Sequence, residues 1–477
     1  MIDSKLPPYR VLDEPALAFD PTNANSVMVH PLRGLMKFGP YSKKIHAVLG
    51  TTLRVATIGP PGSYERVGTL FRELNQPQKA QERPDYLPDY PGMSHALGLV
   101  VAPAADPLHA TLPAKLEDFE SGGFVGQGVA ESVLSVLRQY AALRESFDVV
   151  AIYLPNAWST AFRDDRGFDL HHSIKVGAAS LGIATQILND DVWKYRCRAS
   201  VAWRLSIALY TKYGGTPWKL AENAAAIDSA YIGLSYARKG KPEAGRFVTC
   251  CSQVFDADGG GMQFVAFDAG DGIDLRNPFL STDQMRSVIA RSLALYQRRK
   301  GGGTPRRVVI HKSSAFTDGE LQGVREALLG IPEVECVQVQ SSVSWRAVKL
   351  NAPRDPRKPG PRSLPDGYPV RRGTVVHLSG HAVLLWTGGN TPDALTGRSY
   401  FQGGNSIPGP LLLSRFAGHG SLEEMAMDVL ALTKMDWNND ALFDPLPVTL
   451  KYSQNLAQVI AHAPALTNEA YPYRLFM

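Results

Sequence analysis

The sequence predicts an α/β chain of two successive domains, and three observations carry that prediction. Short apolar runs alternate with segments of helical spacing from about residue 51 onward. After Trp218 the pattern changes to longer β-ribbons followed by a second, shorter alternation. The 477 residues are 44% hydrophobic and 20% charged, the balance of an ordered globular protein with material for two or three cores.

Residues 1–50 read as an irregular lead punctuated by Gly34, Gly39 and Pro40. Residues 54–58 form a first apolar strand, stopped by Gly59-Pro60-Pro61-Gly62, and a helical stretch runs from there to about Leu74. Residues 96–101 read as a second strand. Val129, Val133, Leu134, Val136 and Leu137 give residues 127–145 a helical spacing. Residues 149–154 form a third strand ending at Pro155, a helix follows, and residues 183–188 form a fourth strand. Short strands alternating with helices argue a parallel sheet covered on both faces, a Rossmann-like layer over residues 51–215.

From residue 216 to 477 the order differs. Residues 231–236, 246–251 and 262–267 read as strands, and Asp256-Ala257-Asp258-Gly259-Gly260-Gly261 joins the last two as a hairpin. Met285, Val288, Ile289, Leu295 and Tyr296 then mark a helix ended by Gly301-Gly302-Gly303. A strand (307–311), a helix (318–329) and a strand (334–339) complete the series. Three ribbons, then helix, strand, helix and strand, is the element order of the RNase H fold. Residues 351–373 are rich in Pro and hold Arg354, Arg357, Lys358, Arg362, Arg371 and Arg372. They read either as a basic loop on a nucleic-acid backbone or as a solvated hairpin.

Fifty Lys and Arg against 45 Asp and Glu give a net charge of +5, which permits nucleic-acid binding without requiring it. The four cysteines, Cys197, Cys250, Cys251 and Cys336, lack zinc-ligand spacing and read as reduced thiols. No leader-like apolar core follows Met1, and no run of 18 apolar residues occurs. These observations place the chain in the cytoplasm, away from membranes. Neither Gly-x-x-x-x-Gly-Lys-Ser/Thr nor His-Glu-x-x-His occurs. The pair His171-His172 could hold a metal, although adjacent residues do not face one another on a helix.

The polar set with the most chemistry is His171, Lys175, Gln186 and Lys212. A four-residue step puts His171 and Lys175 on one helix face. Three such donors converging with an amide make a cradle for a terminal phosphate, because charge-assisted bonds to phosphate oxygens are the strong kind. At the rim of a parallel α/β sheet such a cradle lies where these sheets usually bind ligands.

This spacing resembles the guide 5′-phosphate pocket of the Argonaute family, in its short prokaryotic branch. Phe38-Gly39-Pro40-Tyr41-Ser42 resembles the entry to that family's MID domain. Trp386-Thr387-Gly388-Gly389, Pro408-Gly409-Pro410-Leu411, Leu432-Thr433-Lys434-Met435-Asp436-Trp437-Asn438 and Leu446-Pro447-Val448-Thr449-Leu450-Lys451-Tyr452 resemble successive landmarks of its PIWI domain. The resemblance implies a MID domain over 51–215 and a PIWI domain over 216–477, with no room for the N-terminal and PAZ domains of long members. It implies that the carboxylate of Met477 closes the pocket through a divalent cation, Mg²⁺, on the guide phosphate.

Catalytic members of that family hold two metal ions with carboxylates. The resemblance puts the first at Ser235, a later one at Ser313 in His311-Lys312-Ser313-Ser314, and the last near Gln454-Asn455, so that Ser235, Ser313 and Asn455 stand at degenerate catalytic positions. Asp228, Asp256 and Asp258 remain nearby in sequence. The resemblance therefore implies an inactive binder of a small guide, RNA more than DNA, that recognises complementary single-stranded DNA. It further implies a partner carrying an APAZ domain fused to a sirtuin-like, TIR or nuclease effector, in a heterodimer able to assemble further, acting in defence against plasmids and phages. Two alternatives remain open: an active guide-directed nuclease using another carboxylate set, and a stand-alone silencer.

Overall fold

The structure is a computed structural model. It describes residues 7–43, 50–82, 86–120, 122–165, 167–221, 228–239, 246–256, 261–266, 279–351, 364–365, 368–392, 399–400, 406–439, 441–461 and 470–477. The fold is mixed α/β, as expected. Its first sheet joins Val100–Pro103, Thr52–Gly59, Val149–Tyr153 and Thr185–Leu188 in that order, with His109–Thr111 also on Thr52–Gly59, and every pairing is parallel.

Successive side chains of a strand point to opposite faces, and here both faces are core. Leu53, Val55, Val149, Ala151 and Tyr153 pack with the helices Ser63–Leu74 and Arg198–Tyr213. Ala56, Ile58, Val150 and Ile152 pack with the helices Val125–Ala141 and Leu170–Ser180. This is the doubly covered layer that the apolar runs predict. One strand is misplaced by the sequence reading of 96–101. Met93–Leu97 is a helical turn closed by Gly98 at φ 74°, and the strand is Val100–Pro103. Short apolar runs on either side of Gly98 satisfy either geometry, and the left-handed Gly98 settles the matter by ending the turn.

The second sheet has ten strands among the described residues. Its order is Tyr9–Val11, Thr374–Ser379, Ala382–Leu385, Leu411–Ala417, Glu333–Gln340, Arg307–Lys312, Ser229–Lys239, Arg246–Asp256, Gly261–Ala266 and Ala470–Pro472. Ser229–Lys239 runs antiparallel to Arg246–Asp256 and parallel to Arg307–Lys312, which in turn runs parallel to Glu333–Gln340. The helices Thr282–Arg299 and Asp318–Ala327 cover one face through Met285, Val288, Ile289 and Val324. Each begins with a reciprocal capping box, Ser281 with Gln284 and Thr317 with Glu320. The helix Val448–Ala461 lies on Ser229–Lys239.

The lead is not irregular. Tyr9–Val11 is the edge strand paired with Thr374–Ser379, Pro31–Phe38 is a helix, and Leu17–Ala18 pairs with both Val27–Met28 and Lys219–Leu220. Strands of two or three residues leave no period to read.

Glu14 anchors this lead to Arg372 and Lys434. Its carboxylate takes the Arg372 Nε at 2.9 Å and the Lys434 Nζ at 3.1 Å, and both cations have 0% side-chain exposure. Arg372 also donates to Thr433 Oγ1 at 2.8 Å. Arg372 is therefore a buried tie, which corrects its reading as a nucleic-acid or solvated residue; Arg354, Arg357, Lys358 and Arg362 lie outside the described residues.

Trp218 is core, 1% exposed, with its indole donating to the Lys434 carbonyl at 3.0 Å. Cys197 and Cys336 are buried free thiols. No described helix is long and apolar enough to cross a membrane.

Candidate functional site

Three elements of the first sheet and its covering helices bring the sequence-predicted donors together. Asp169 caps the helix Leu170–Ser180 by accepting from the His172 N–H at 3.0 Å. That fixes His171 in the first turn and Lys175 one turn later. Gln186 sits on the strand Thr185–Leu188, opposite Ala151. Lys212 belongs to the last turn of Arg198–Tyr213, a helix ended by Gly214 at φ 109°, where a cation also suits the carbonyl end.

His171, Lys175, Gln186 and Lys212 line one cavity of about 210 Å³. Lys212 donates to Gln186 Oε1. Lys175 donates to the Thr185 carbonyl at 2.8 Å and to the main-chain oxygen of Met477 at 2.6 Å. The last turn, Tyr473–Leu475, packs against the Lys175 and Lys212 helices. Phe476 and Met477 close one side of the cavity, while Asn438, Asn455, Gln458 and Val459 close another. Sequence reasoning assigned none of Asn438, Gln458, Val459 and Phe476 to a site. The polar residues of a closing helix had no local signature pointing to a pocket more than 240 positions earlier.

The electrostatics suit an anion. Lys175 and Lys212 are each 2% exposed. Burial brings the Lys175 ammonium down to about 7. Burial, and then the neighbouring Lys175 charge, hold Lys212 well below its ordinary value. Burial and the same Lys175 charge keep the His171 imidazole neutral, although the residue keeps an exposed edge at the mouth. Two neighbouring ammonium groups in one cavity disfavour each other's charge. A doubly charged phosphate reverses that balance.

Among the described residues, no acidic side chain lines the cavity. The Met477 oxygen is its anionic candidate for a metal if it belongs to a terminal carboxylate. Mg²⁺ takes oxygen ligands, keeps several waters and binds through one or two carboxylates plus substrate phosphates, a set that this pocket and a phosphate could complete together. Beside it, the ligand atoms of Asp169, His171 and His172 lie within 4.8 Å of one another. Asp169 is already engaged by the His172 N–H and by Arg163 Nε at 2.8 Å, which accounts for its carboxylate as a helix cap.

The three positions that the resemblance puts at degenerate catalytic sites fall in different places. Ser235 is 1% exposed, with its hydroxyl 2.9 Å from that of Ser453. Thr449, one turn before Ser453, lies with Oγ1 2.9 Å from Nδ1 of the fully buried His311. A Cβ on Gly233 would stand 1.9 Å from the Thr449 carbonyl oxygen. Ser313 is exposed, and its carbonyl accepts from Gln338 at 3.2 Å. Asn455 is on the rim of the lysine cavity. Asp228, at φ 64°, precedes Ser229–Lys239, roughly 20 Å along the strand from Ser235. Asp256 pairs with Ala230 at that same far end, whereas Ser235 pairs with Cys251. Asp258 lies outside the described residues.

The chain matches no protein-family model and no curated protein. Solved structures do match it. Clostridium butyricum Argonaute bound to a guide DNA and a 19-mer target DNA aligns with a TM-score of 0.67 and 13% identity, over 100% of this chain and 55% of that one. Aa-Ago with externally bound siRNA gives 0.61 and 15%, over 98% and 56%. A. aeolicus Argonaute gives 0.59 and 14%, over 98% and 55%. The chain spans about half the length of the structures it matches, and its fold is Argonaute-like.

Proposed function

We propose that this chain is a guide-dependent nucleic-acid sensor. It holds a 5′-phosphorylated small guide, RNA more than DNA, and recognises complementary single-stranded DNA. The observation that carries the reading is the convergence of His171, Lys175, Gln186 and Lys212 in one cavity closed by Met477. In this reading residues 51–215 act as the MID domain and residues 216–477 as the PIWI domain. Lys175 and Lys212 neutralise the terminal phosphate, and Gln186 orients Lys212. His171 contributes a neutral imidazole at the mouth. The terminal carboxylate of Met477 would hold Mg²⁺ against the phosphate, where the ion supplies charge neutralisation. Base pairing then reads the sequence, and the protein grips backbone.

The same reading makes the chain catalytically inactive. Serine hydroxyls cannot balance two divalent cations, and the Ser235 hydroxyl already packs against Ser453. Asp228 and Asp256 stand at the other end of the strand pair. Target recognition must then be reported by another protein, which we propose to be an APAZ-domain effector, either NAD-consuming or a nuclease, forming a cytoplasmic heterodimer in defence against plasmids and phages. Guide and target can switch such a complex only by favouring one of its states.

The test is a purified complex of this chain with the effector encoded beside it. Guide plus complementary single-stranded DNA should switch the effector on, and guide alone should not. This chain by itself should bind both strands without cutting the target in Mg²⁺ or Mn²⁺. Site-specific cleavage lost in Asp228→Ala would establish a nuclease instead. Plasmid interference that persists without the neighbour would establish silencing by occupancy.

A further inference from the structure

We infer that Asn455 is a guide-contact residue of the phosphate pocket, supplying neutral hydrogen-bond donors to the 5′-phosphate end, and is not the remnant of a catalytic metal ligand. The inference rests on the phosphate reading above and deepens it. One helix, Val448–Ala461, carries two separate tasks on two faces. Thr449 and Ser453, one turn apart, face the sheet: the first against Gly233 and His311, the second against Ser235.

Asn455 is two residues beyond Ser453, a rotation of about 200° on an α-helix. Residues two apart do not share a face. Asn455, Gln458 and Val459 follow the i, i+3, i+4 spacing of a single face, and all three line the cavity shared by Lys175 and Lys212. A carboxylate at position 455 would therefore stand beside the lysines and not beside Ser235.

The chemistry of that wall follows from the charge already present. Two lysines match a phosphate dianion, and a third cation would leave the empty cavity more strained. A terminal phosphate nevertheless presents more acceptor sites than two ammonium groups satisfy, and the Gln186 amide N–H already donates to the Ile187 carbonyl at 3.1 Å. An amide offers two N–H donors without charge. Asn455 is exposed at the rim, so it can be replaced without opening the core.

The experiment compares Asn455→Ala and Asn455→Asp with the unchanged protein, using one guide sequence with a 5′-phosphate or a 5′-hydroxyl. Loss of a bond to a charged group should weaken the phosphorylated guide about tenfold in Asn455→Ala. Asn455→Asp should weaken it further, because it sets a carboxylate against the phosphate. Hydroxyl guides should change less than about twofold by the same argument, and thermal unfolding should stay unchanged. Equal losses for both guides, or no loss in either variant, would overturn the inference. So would guided cleavage in Mn²⁺ by a Ser235→Asp, Ser313→Asp, Asn455→Asp protein, since position 455 would then reach the sheet. Lys175→Ala with Lys212→Ala separates the two levels. If that pair discriminates the phosphate and Asn455 does not, the inference alone fails; if the pair does not discriminate, the phosphate reading fails.

Discussion

The Nζ of Lys175 lies 2.6 Å from the main-chain oxygen of Met477, 302 positions away in the chain. A single buried side chain thus joins the helix Leu170–Ser180 to Met477, and the candidate pocket is built from both segments. Its partners are the Thr185 carbonyl and the Met477 oxygen. An incoming phosphate would have to join or replace those acceptors.

The chain end is accordingly sensitive. Residues appended after Met477 should displace the terminal oxygen from Lys175 and weaken a 5′-phosphorylated guide about tenfold, the value of one charge-assisted bond. EDTA should weaken loading of the unmodified protein. Fluorescence anisotropy with labelled guide checks both. A C-terminally tagged protein with full affinity, indifferent to EDTA, would remove Met477 and Mg²⁺ from the site.

Gly233 tests the seat of the closing helix. Its missing Cβ makes room for the Thr449 carbonyl, which would otherwise stand 1.9 Å away. Gly233→Ala must push the helix off the sheet, and overpacking of this kind costs about 1–3 kcal/mol. Because the same helix carries Asn455, Gln458 and Val459 to the cavity, guide affinity should fall with stability. Urea unfolding and guide titration of the variant measure the two effects together. A loss of stability with unchanged guide affinity would uncouple the sheet from the pocket.

Glu14 gives a pH signature. Burial pushes its carboxyl up, but Arg372 and Lys434 outweigh burial and hold it below the usual 4.5. A carboxyl depressed on folding contributes stability that is present above its unfolded value and lost as pH falls through the folded one. Glu14→Gln strands two buried cations and should cost about 3 kcal/mol at pH 7. The gap between the two proteins should close below pH 4.5 as Glu14 itself becomes neutral. Denaturant unfolding at pH 7 and near pH 3 measures it, and a gap of constant size would show that the charge of Glu14 is not what holds the lead.

Much of this molecule was legible before its structure. The alternating runs give the first parallel sheet because both faces of Thr52–Gly59 and Val149–Tyr153 are apolar. His171 and Lys175 were legible as a pair because a four-residue step is a local property of a helix. The helix behind Lys212 was not. Arg198–Tyr213 buries residues nearly all round, so it shows no single apolar stripe. Arg372 was misread because its surroundings in sequence are basic, while its environment is set by Glu14, 358 positions earlier. Asn455 was placed near a catalytic landmark by resemblance alone, and the structure puts it on the wall of the cavity that holds Lys175 and Lys212.

The central claim is that this pocket recognises a guide's 5′-phosphate, and one binding measurement tests it most directly. The same guide is titrated with a 5′-phosphate and with a 5′-hydroxyl, into the unchanged protein and into Lys175→Ala with Lys212→Ala. At roughly 1.5–3 kcal/mol for each charge-assisted bond, the unchanged protein should prefer the phosphate by at least about tenfold, and the double variant should lose that preference while binding the hydroxyl guide almost as before. Equal affinity of the unchanged protein for both guides would contradict the account.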